Sequence, residues 1–409
     1  MPATGSDPAL RPATGEPRYR LVDSYRAFAA LTVLAAHVGL YYGFFRGTGR
    51  LDVQWYPRLL WGAEQGVALF FVISGFVLYL PFVASRLGSI GRPRTGAYGI
   101  RRVLRIVPAY WLALTVVIVI NGAAVVQPGG PLPYYLFAQV YRVDTIARGL
   151  PQAWTLCIEV TFYALLPAWA WLIARVRSSA REPRAIVAVE LAGAFALFAF
   201  SVLWKLGVVR ALGAGADPKR PALLTLPAYL DHFALGMALA IVCAAIAAGW
   251  RTPGWARLVE RRPWAPWIPA AIGLAVLWDR SSGQLDPVDR AYVWHRVLEA
   301  VVAALLLMPA VIGAQRRDPA RRALSAPALL WLGVVSYAVY LWHVAIINWL
   351  MDLGADDAGL AVLAIASVAA TVGVAALSWY GLERWAIGIG RRLGPRLRRA
   401  QPSPARGDP

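Results

Sequence analysis

The chain has 409 residues, of which 59% are hydrophobic and only 15% are charged, and its mean hydropathy is +0.53. Soluble domains carry about 25% charged residues, so this composition excludes a soluble enzyme with two or three packed cores and indicates a protein of the lipid bilayer. The formal net charge of +19 raises a separate question, nucleic-acid binding, which the distribution of basic residues along the chain decides.

Ten apolar runs follow one another along the chain, and most are long enough to cross roughly 30 Å of hydrocarbon as helices. The seventh and eighth runs are the shortest, and runs of that length also form interfacial or buried helices. No alternation typical of strands occurs. The predicted fold is all-α, a polytopic membrane bundle of about ten transmembrane helices, at 27–45, 64–83, 103–126, 154–173, 186–204, 224–248, 264–278, 297–312, 329–350 and 360–380.

The segments at the two ends differ in composition from the apolar centre. Residues 1–20 are predicted to be a disordered cytosolic tail, because the run that follows is longer than a signal-peptide core and has no small-residue cleavage site. Residues 21–390 are predicted to form one membrane domain, and residues 391–409 a basic, disordered cytosolic tail.

The basic residues are distributed unequally between the connections. With the N-terminus in the cytosol, 29 of the 41 Lys and Arg residues lie on the cytosolic side and 12 on the other. This is the positive-inside asymmetry of a bacterial inner membrane protein. We therefore expect both termini in the cytosol, a multi-pass protein surrounded by membrane lipids, and no nucleic-acid partner.

Motifs for cofactor chemistry are not found in the sequence. No spacing is typical of a metal site, a phosphate-binding glycine loop, or a flavin or nicotinamide fingerprint. We expect no metal and no permanently bound cofactor. No internal repeat with matching broken helices points to a secondary transporter.

Ionisable side chains inside the apolar runs are costly in hydrocarbon and are therefore functional candidates. With about 1.5 Å of rise per residue, four of them come to one depth, roughly 8–12 Å below the outer ends of their runs: His37, Glu159, Asp231 and His343. We expect these groups to form one polar chamber that is open toward the outer face. Alternatively, Asp231 and Glu299, at the start of the eighth run, pair with neighbours to fix helix packing. Glu190 lies near the cytosolic end of the fifth run, where it could reach the interface.

Six segments together resemble the membrane acyltransferase-3 family over about residues 20–390. In chain order they are "YRAFAALTVLAAHVGL", "GVALFFVISGFVLYL", "RRVLRIVPAYW", "AWTLCIEVTFYALLP", "YLDHFALGMALA" and "LGVVSYAVYLWH". Each phrase alone is weak evidence, and their order on successive spans makes the resemblance specific. It implies an integral enzyme that moves an acyl group, commonly acetyl from acetyl-CoA, onto a hydroxyl of a saccharide, a lipid-linked glycan or a secondary metabolite.

The resemblance also assigns positions in the first half of the chain. The family pattern of an arginine, ten residues and a histidine falls on Arg26 and His37, and the two-arginine motif falls on Arg102 and Arg105. One departure is Ser24, which stands where the family's Asp-Gly-Leu-Arg phrase has glycine. The departure affects the local backbone turn but neither Arg26 nor His37.

Two further phrases match on the fourth and ninth spans. The tryptophan, hydroxyl residue, leucine and glutamate phrase falls on Trp154, Thr155, Leu156 and Glu159. The serine-tyrosine to histidine phrase ends at His343. The usual serine of the first phrase is Thr155, which keeps the hydroxyl.

Acyl transfer to an alcohol requires a base for the hydroxyl proton, and neutral imidazole is suited to this near pH 7. His37 is the first candidate and His343 the second. Glu159 could then hold a ring nitrogen of His37, as the third member of a triad does. Alternatively, His37 itself accepts the acyl group and passes it on. The sequence leaves these alternatives open.

The remaining candidates are binding residues. Guanidinium groups clamp phosphates, so Arg26, Arg102 and Arg105 are predicted to bind the co-substrate acyl-CoA, although the positive-inside rule also accounts for basic residues at 102 and 105. Trp154 and Tyr163 are predicted to stack on the acceptor, a glycan, lipid-linked or small molecule. Asp231 is predicted to join them in substrate binding.

Two other classes of function remain open on the sequence alone. A proton-coupled transporter also carries histidines and carboxylates inside its bundle, and it would move substrate without regard to acyl-CoA. A non-catalytic scaffold would tolerate replacement of the buried charges by apolar residues.

Overall fold

The computed structural model describes residues 19–45, 65–91, 93–146, 148–176, 182–212, 221–281, 290–313 and 318–396. Every regular element in these ranges is helical. The longer helices are α1 Leu21–Phe45, α2 Gln65–Arg86, α3 Thr95–Asn121, α4 Trp154–Val176, α5 Pro183–Leu212, α6 Leu226–Ala247, α7 Trp267–Ser281, α8 Arg290–Val311, α9 Pro327–Asp352, α10 Leu360–Ser378 and α11 Arg384–Arg396. The short helices are Ala123–Val126, Leu132–Tyr135, Gln139–Tyr141, Pro151–Ala153, Pro221–Leu223, Gly254–Arg261, Pro319–Leu324 and the π-helical turn Trp379–Glu383.

Nine helices in the described ranges are long and apolar enough to cross a membrane, namely α1 to α10 without α7. The protein is therefore a multi-pass, all-helical membrane protein, as the sequence predicts. Of the ten predicted spans, nine correspond to these helices, and the seventh corresponds to the shorter α7. The eighth span is longer than predicted, with 22 residues, because the helix begins at Arg290, before its apolar stretch.

The two predicted tails lie mostly outside the described residues, which leave out 1–18 and 397–409. Residues 391–396, assigned to the C-terminal tail, continue α11. The cytosolic orientation of the termini stays a prediction.

The helices run alternately between two faces, which we name the Leu21 face, where α1 begins, and the Phe45 face, where α1 ends. Contacts between helix ends show the alternation. The indole of Trp267 at the start of α7 donates to the hydroxyl of Tyr25, 3.3 Å away, and the indole of Trp349 donates to Asn121 at the end of α3.

The core consists of two clusters of buried side chains. One joins α2, α5, α6 and α8, and the other joins α1, α3, α9 and α10. Small residues permit the closest helix contacts, as is usual in membranes. A Cβ atom at Gly75 of α2 would overlap the backbone of Phe233 in α6, and one at Gly236 would overlap the backbone of Val72. The backbones of α2 and α6 therefore touch, and α1 and α2 hold the two halves together.

Two pairs of buried charges lie within the cluster of α2, α5, α6 and α8. Glu190 of α5 is buried and accepts hydrogen bonds from Tyr79 and Arg86 of α2. Glu190 therefore does not reach the interface, because its partners are on the neighbouring helix. Lys205 and Asp231 form a second buried pair, with 2.5 Å between Nζ and Oδ2.

The connection between α3 and α4 folds into the bundle. The hydroxyl of Tyr110 donates to the carbonyl of Tyr134 at 2.8 Å, and the amide of Gln152 donates to the carbonyl of Leu341 at 2.7 Å. Tyr110 and Leu341 each lie eleven residues from the ends of α3 and α9, roughly 16 Å from the Phe45 face at 1.5 Å per residue. Non-helical backbone is tolerated at such depth where protein buries it. Helix α4 therefore begins deep inside the bundle and not at the Phe45 face.

Candidate active site

Two cavities lie where the two halves meet. The first, the Arg26 cavity, is lined among others by Arg26, Ser74, Arg105, Glu159, Tyr163 and Tyr340. The second, the His37 cavity, is lined among others by His37, Gln152, Trp154, His232, Arg296 and Tyr340. His37 follows Arg26 eleven positions later on α1, roughly 16 Å of rise. The Arg26 cavity is therefore nearer the Leu21 face and the His37 cavity nearer the Phe45 face.

Tyr340 of α9 is part of the wall between the two cavities, together with Val67 of α2. Its hydroxyl donates to the carbonyl of Gln152 at 2.8 Å and lies 2.6 Å from the hydroxyl of Thr155. These bonds fix the tyrosine against the start of α4. The polar interior is thus divided, and the prediction of a single chamber with four ionisable groups at one depth is wrong.

The error has a physical cause in the start of α4. The predicted depth of Glu159 requires α4 to begin at the outer surface, whereas α4 begins beside Tyr340, well below that surface. Glu159, five residues further along, is consequently displaced toward the Leu21 face. It lies in the Arg26 cavity and not with His37.

The structure brings His37 and His343 together across α1 and α9. Nδ1 of His37 is 3.2 Å from Nε2 of His343, and the ring centroids are 4.8 Å apart. Nδ1 of His343 lies 2.7 Å from the carbonyl of Tyr340, and Nδ1 of His37 lies 2.9 Å from the carbonyl of Val33. Because a carbonyl oxygen can only accept, both Nδ1 atoms carry hydrogen. Nε2 of His343 is then the acceptor for His37.

This arrangement leaves Nε2 of His37 with its lone pair. Within the part of the chain that the structure describes, this atom has no hydrogen-bond partner, and it is not fully enclosed by protein atoms. His37 lines its cavity, whereas His343 is fully buried behind it. His37 is therefore the histidine that can meet a substrate, and His343 is the residue that orients it.

Glu159 does not orient His37. Its Oε1 accepts hydrogen bonds of 2.6 Å from both Ser74 and Tyr163, and among the described residues no carboxylate contacts His37. The expectation of a carboxylate–imidazole contact between Glu159 and His37 is wrong, and His343 occupies that position. Glu159 instead supplies a negative charge to the cavity that holds Arg26 and Arg105.

The three arginines predicted to bind the donor lie near one another but differ in setting. Arg26 and Arg105 line the Arg26 cavity. Arg102 does not, because its guanidinium lies over the rings of Tyr98 and Tyr163, 5.6 and 5.9 Å from their centroids. The Nε atoms of Arg26 and Arg102 are enclosed and have no partner among the described residues. Unpaired buried donors of this kind are costly unless something else accepts from them.

The three residues predicted to bind the acceptor are separated. Trp154 lines the His37 cavity, with the ring of Tyr229 at 5.6 Å. Tyr163 lines the Arg26 cavity. Asp231 lines neither cavity; it binds Lys205 and, at 2.8 Å, Nδ1 of His232. Of the three, only Trp154 shares a cavity with His37.

The His37 cavity also contains residues to which the sequence assigned no role in the site. Glu299 is bound by Arg296 at 3.0 Å, and its carbonyl accepts from the amide of Gln65 at 2.7 Å. The three-residue spacing of Arg296 and Glu299 on an apolar helix is a signal that the sequence carries. Gln152 and Tyr340 carry no such signal, because their importance depends on how the connection folds.

Comparison with protein families gives a match over most of the chain. The acyltransferase domain described by the Acyl_transf_3 family model matches residues 20–380. The chain belongs to this acyltransferase family. The resemblance stated from the sequence is therefore confirmed, and the two cavities are the interior of a membrane acyltransferase.

Two curated proteins are similar to this acyltransferase along most of its length. Nodulation protein 10 of Rhizobium leguminosarum bv. viciae is 26% identical over 393 residues, which cover 88% of this chain and 91% of the relative. Peptidoglycan O-acetyltransferase OatA of Listeria monocytogenes serovar 1/2a is 24% identical over 387 residues, which cover 88% of this chain and 54% of the relative. The chain thus spans about half the length of the Listeria protein. No solved structure matches the acyltransferase significantly.

The geometry of the histidine pair predicts the position of two protons. In the acyltransferase labelled with ¹⁵N-histidine and placed in lipid, His37 and His343 should each carry hydrogen on Nδ1 and not on Nε2. The chain has only 4 histidines, so ¹⁵N solid-state NMR spectra of the wild type and of the His37→Gln and His343→Gln variants assign the signals. A proton on Nε2 of His343 would contradict the arrangement, since that nitrogen could no longer accept from His37.

Proposed function

We propose that this acyltransferase moves an acyl group, most simply acetyl, from acyl-CoA in the Arg26 cavity to a hydroxyl group of an acceptor in the His37 cavity. The acceptor is a saccharide, a lipid-linked glycan or a secondary metabolite. The observation that carries the proposal is the uncovered Nε2 atom of the His37 ring, which His343 holds at one of two adjoining cavities. It provides a base, or an acyl carrier, in the acceptor cavity, which shares Tyr340 and Val67 with the donor cavity.

The donor assignment rests on the charges of the Arg26 cavity. Acyl-CoA carries phosphates, which guanidinium groups bind with planar pairs of donors. Arg26 and Arg105 line this cavity, and Arg26 has an enclosed, unpaired Nε. Glu159 compensates part of the positive charge when the cavity is empty of ligand and holds Ser74 and Tyr163 in place. The co-substrate is thus bound by exchangeable contacts, and no permanent cofactor is part of the proposal.

The acceptor assignment rests on the mixed lining of the His37 cavity. Trp154 and Tyr229 provide aromatic surface, and Gln152, Arg296 and Glu299 provide polar groups. Aromatic rings with a few converging polar groups are typical of sites for small ligands, and this pattern suits a ring-shaped, hydroxyl-rich molecule such as a sugar. The name of the Listeria relative, a peptidoglycan O-acetyltransferase, supports a saccharide as the first acceptor to test.

The charge distribution and the relatives support a location in a bacterial cell membrane. The Leu21 face carries the larger share of basic residues, which favours the cytosolic side of a bacterial cell membrane. Both relatives come from bacteria. Cytosolic acyl-CoA would then enter from the Leu21 face, and the acceptor would be modified toward the Phe45 face, at the cell envelope.

Replacement of His37 by Gln tests the proposal directly. Gln retains volume and hydrogen bonding but can neither take a proton nor carry an acyl group, and such catalysis is typically worth about 10²–10⁴ in rate. Membranes that contain the His37→Gln variant at normal levels should transfer less than about a tenth of the wild-type radiolabel from acetyl-CoA to the glycan, lipid or small-molecule fraction.

The His295→Gln variant serves as the control, because His295 contacts Glu299 but does not line the His37 cavity. It should transfer label normally. Normal transfer by His37→Gln would make His37 a packing residue. A transporter would leave the label on CoA in the wild type as well.

Replacement of Arg105 by Lys tests the donor site. Lys keeps the charge but loses the planar fork, so the apparent KM for acetyl-CoA should rise several-fold while the amount of protein in the membrane stays normal. Arg101→Lys is the matched control, because Arg101 lies on the same helix and is exposed. An unchanged KM in Arg105→Lys would remove this residue from the donor site.

A further inference from the structure

A second histidine of the His37 cavity is held by a carboxylate. Asp231 Oδ1 lies 2.8 Å from Nδ1 of His232 and accepts the backbone N–H of the same residue at 3.0 Å. The other oxygen of Asp231 is bound by Lys205 at 2.5 Å, and Ser201 donates to Oδ1 at 3.2 Å. All of these groups are buried. Asp231 is therefore fixed from two sides and fixes His232 in turn.

The hydrogen-bond pattern determines which nitrogen of His232 is basic. A carboxylate only accepts hydrogen bonds, so Nδ1 of His232 carries hydrogen and Nε2 carries the lone pair. Among the described residues no group forms a hydrogen bond with Nε2, and this atom is not fully enclosed by protein atoms. His232 lines the His37 cavity, so Nε2 borders that cavity.

The two histidines of this cavity thus have different supports. His37 is backed by the neutral ring of His343, and His232 is backed by the carboxylate of Asp231. A carboxylate stabilises an imidazolium that forms when the ring takes a proton. The neutral ring of His343 also accepts a hydrogen bond but carries no negative charge, so it stabilises an imidazolium less than a carboxylate does. His37 therefore suits nucleophilic attack more than it suits proton storage. The two hydrogen-bond partners thus favour different roles for the two rings: nucleophile for His37 and base for His232.

We propose that His232, oriented by Asp231, is the base that deprotonates the acceptor hydroxyl, and that His37 is the group that first receives the acyl group. This inference rests on the proposed function and makes it a two-step reaction. It assigns His232 as a second catalytic residue and Asp231 as its positioning residue, in place of the direct substrate contact predicted for Asp231 from the sequence.

In the first step, the thioester end of acyl-CoA bound in the Arg26 cavity extends past Tyr340 into the His37 cavity, and the lone pair on Nε2 of His37 attacks its carbonyl carbon. A C–N bond forms, the C–S bond breaks, and the electron pair leaves with the CoA thiolate. The Nδ1 proton of His37 stays in its hydrogen bond with Nε2 of His343, which stabilises the acylimidazolium. This is the usual division of one difficult transfer into two easier ones.

In the second step, Nε2 of His232 takes the proton of the acceptor hydroxyl while the hydroxyl oxygen attacks the acyl carbon. A C–O bond forms, the C–N bond breaks, and the electron pair returns to Nε2 of His37. His232 now carries one extra proton, and the CoA thiolate lacks one. When solvent transfers this proton from His232 to the thiolate, the cycle ends with two neutral histidines, an ester and CoA thiol.

The two half-reactions can be measured separately in wild-type and variant protein in membranes. Exchange of radiolabelled CoA into acetyl-CoA, without added acceptor, reports the first step. Transfer of labelled acetyl to the acceptor fraction that the wild type labels reports both steps. His232→Gln should retain exchange within about twofold and lose about 10²–10⁴ in transfer, whereas His37→Gln should lose both.

The same assays identify each way in which the inference can fail. His295→Gln should keep both activities, as a histidine near the cavity that does not line it. Transfer by His232→Gln above about a tenth of normal would overturn the role of His232, and so would loss of exchange together with transfer. Wild-type transfer without any exchange would overturn the acyl-His37 step and leave the proposed function standing. A wild type with neither activity would refute the proposed function itself.

Discussion

The polar interior of this protein depends on one hydrogen-bonded contact, between the hydroxyl of Tyr340 and the start of α4. That hydroxyl is bonded to the carbonyl of Gln152 and the hydroxyl of Thr155, and the amide of Gln152 is bonded to α9. In hydrocarbon every backbone polar group must be satisfied within the protein, and these bonds satisfy the non-helical turn that leads into α4. They hold this turn deep in the bundle, and they separate a cavity rich in arginine from a cavity rich in histidine.

The charges that surround the two cavities follow a common rule. Breaking a buried charge pair is costly, and Lys205 with Asp231 and Arg296 with Glu299 are accordingly paired. Some atoms that border the cavities have no such partner. Nε of Arg26 is enclosed and unpaired, and among the described residues no group bonds Nε2 of His37 or of His232. Paired charges hold the helices in register, and these atoms at the cavities are available to ligands.

The helices and their order could be predicted from the sequence because hydropathy and helix length report directly on the bilayer. The family could also be recognised, since its phrases lie on successive spans. The depths could not be predicted. Counting residues from the end of an apolar run assumes that the run begins at the membrane surface, and α4 begins beside Tyr340 instead. That single displacement separated Glu159 from His37.

Partner choice was equally hidden from the sequence. His343, predicted as a second base, lies against His37 and accepts a hydrogen bond from it. Asp231, predicted to touch substrate, lines neither cavity and holds the neighbouring His232. Both results depend on which faces of two helices meet, and the uniformly apolar α6 and α9 carry no amphipathic pattern from which to read those faces.

The central claim is that donor and acceptor occupy different cavities, on opposite sides of Tyr340, and the sidedness of the reaction tests it most directly. The protein would be placed in sealed vesicles of known orientation, with radiolabelled acetyl-CoA, which does not cross the bilayer, supplied on one side only. The account predicts that label is used only when acetyl-CoA faces the Leu21 face, and that the acylated product appears on the side of the Phe45 face. Equal use of acetyl-CoA from either side, or product on the side of the donor, would contradict it.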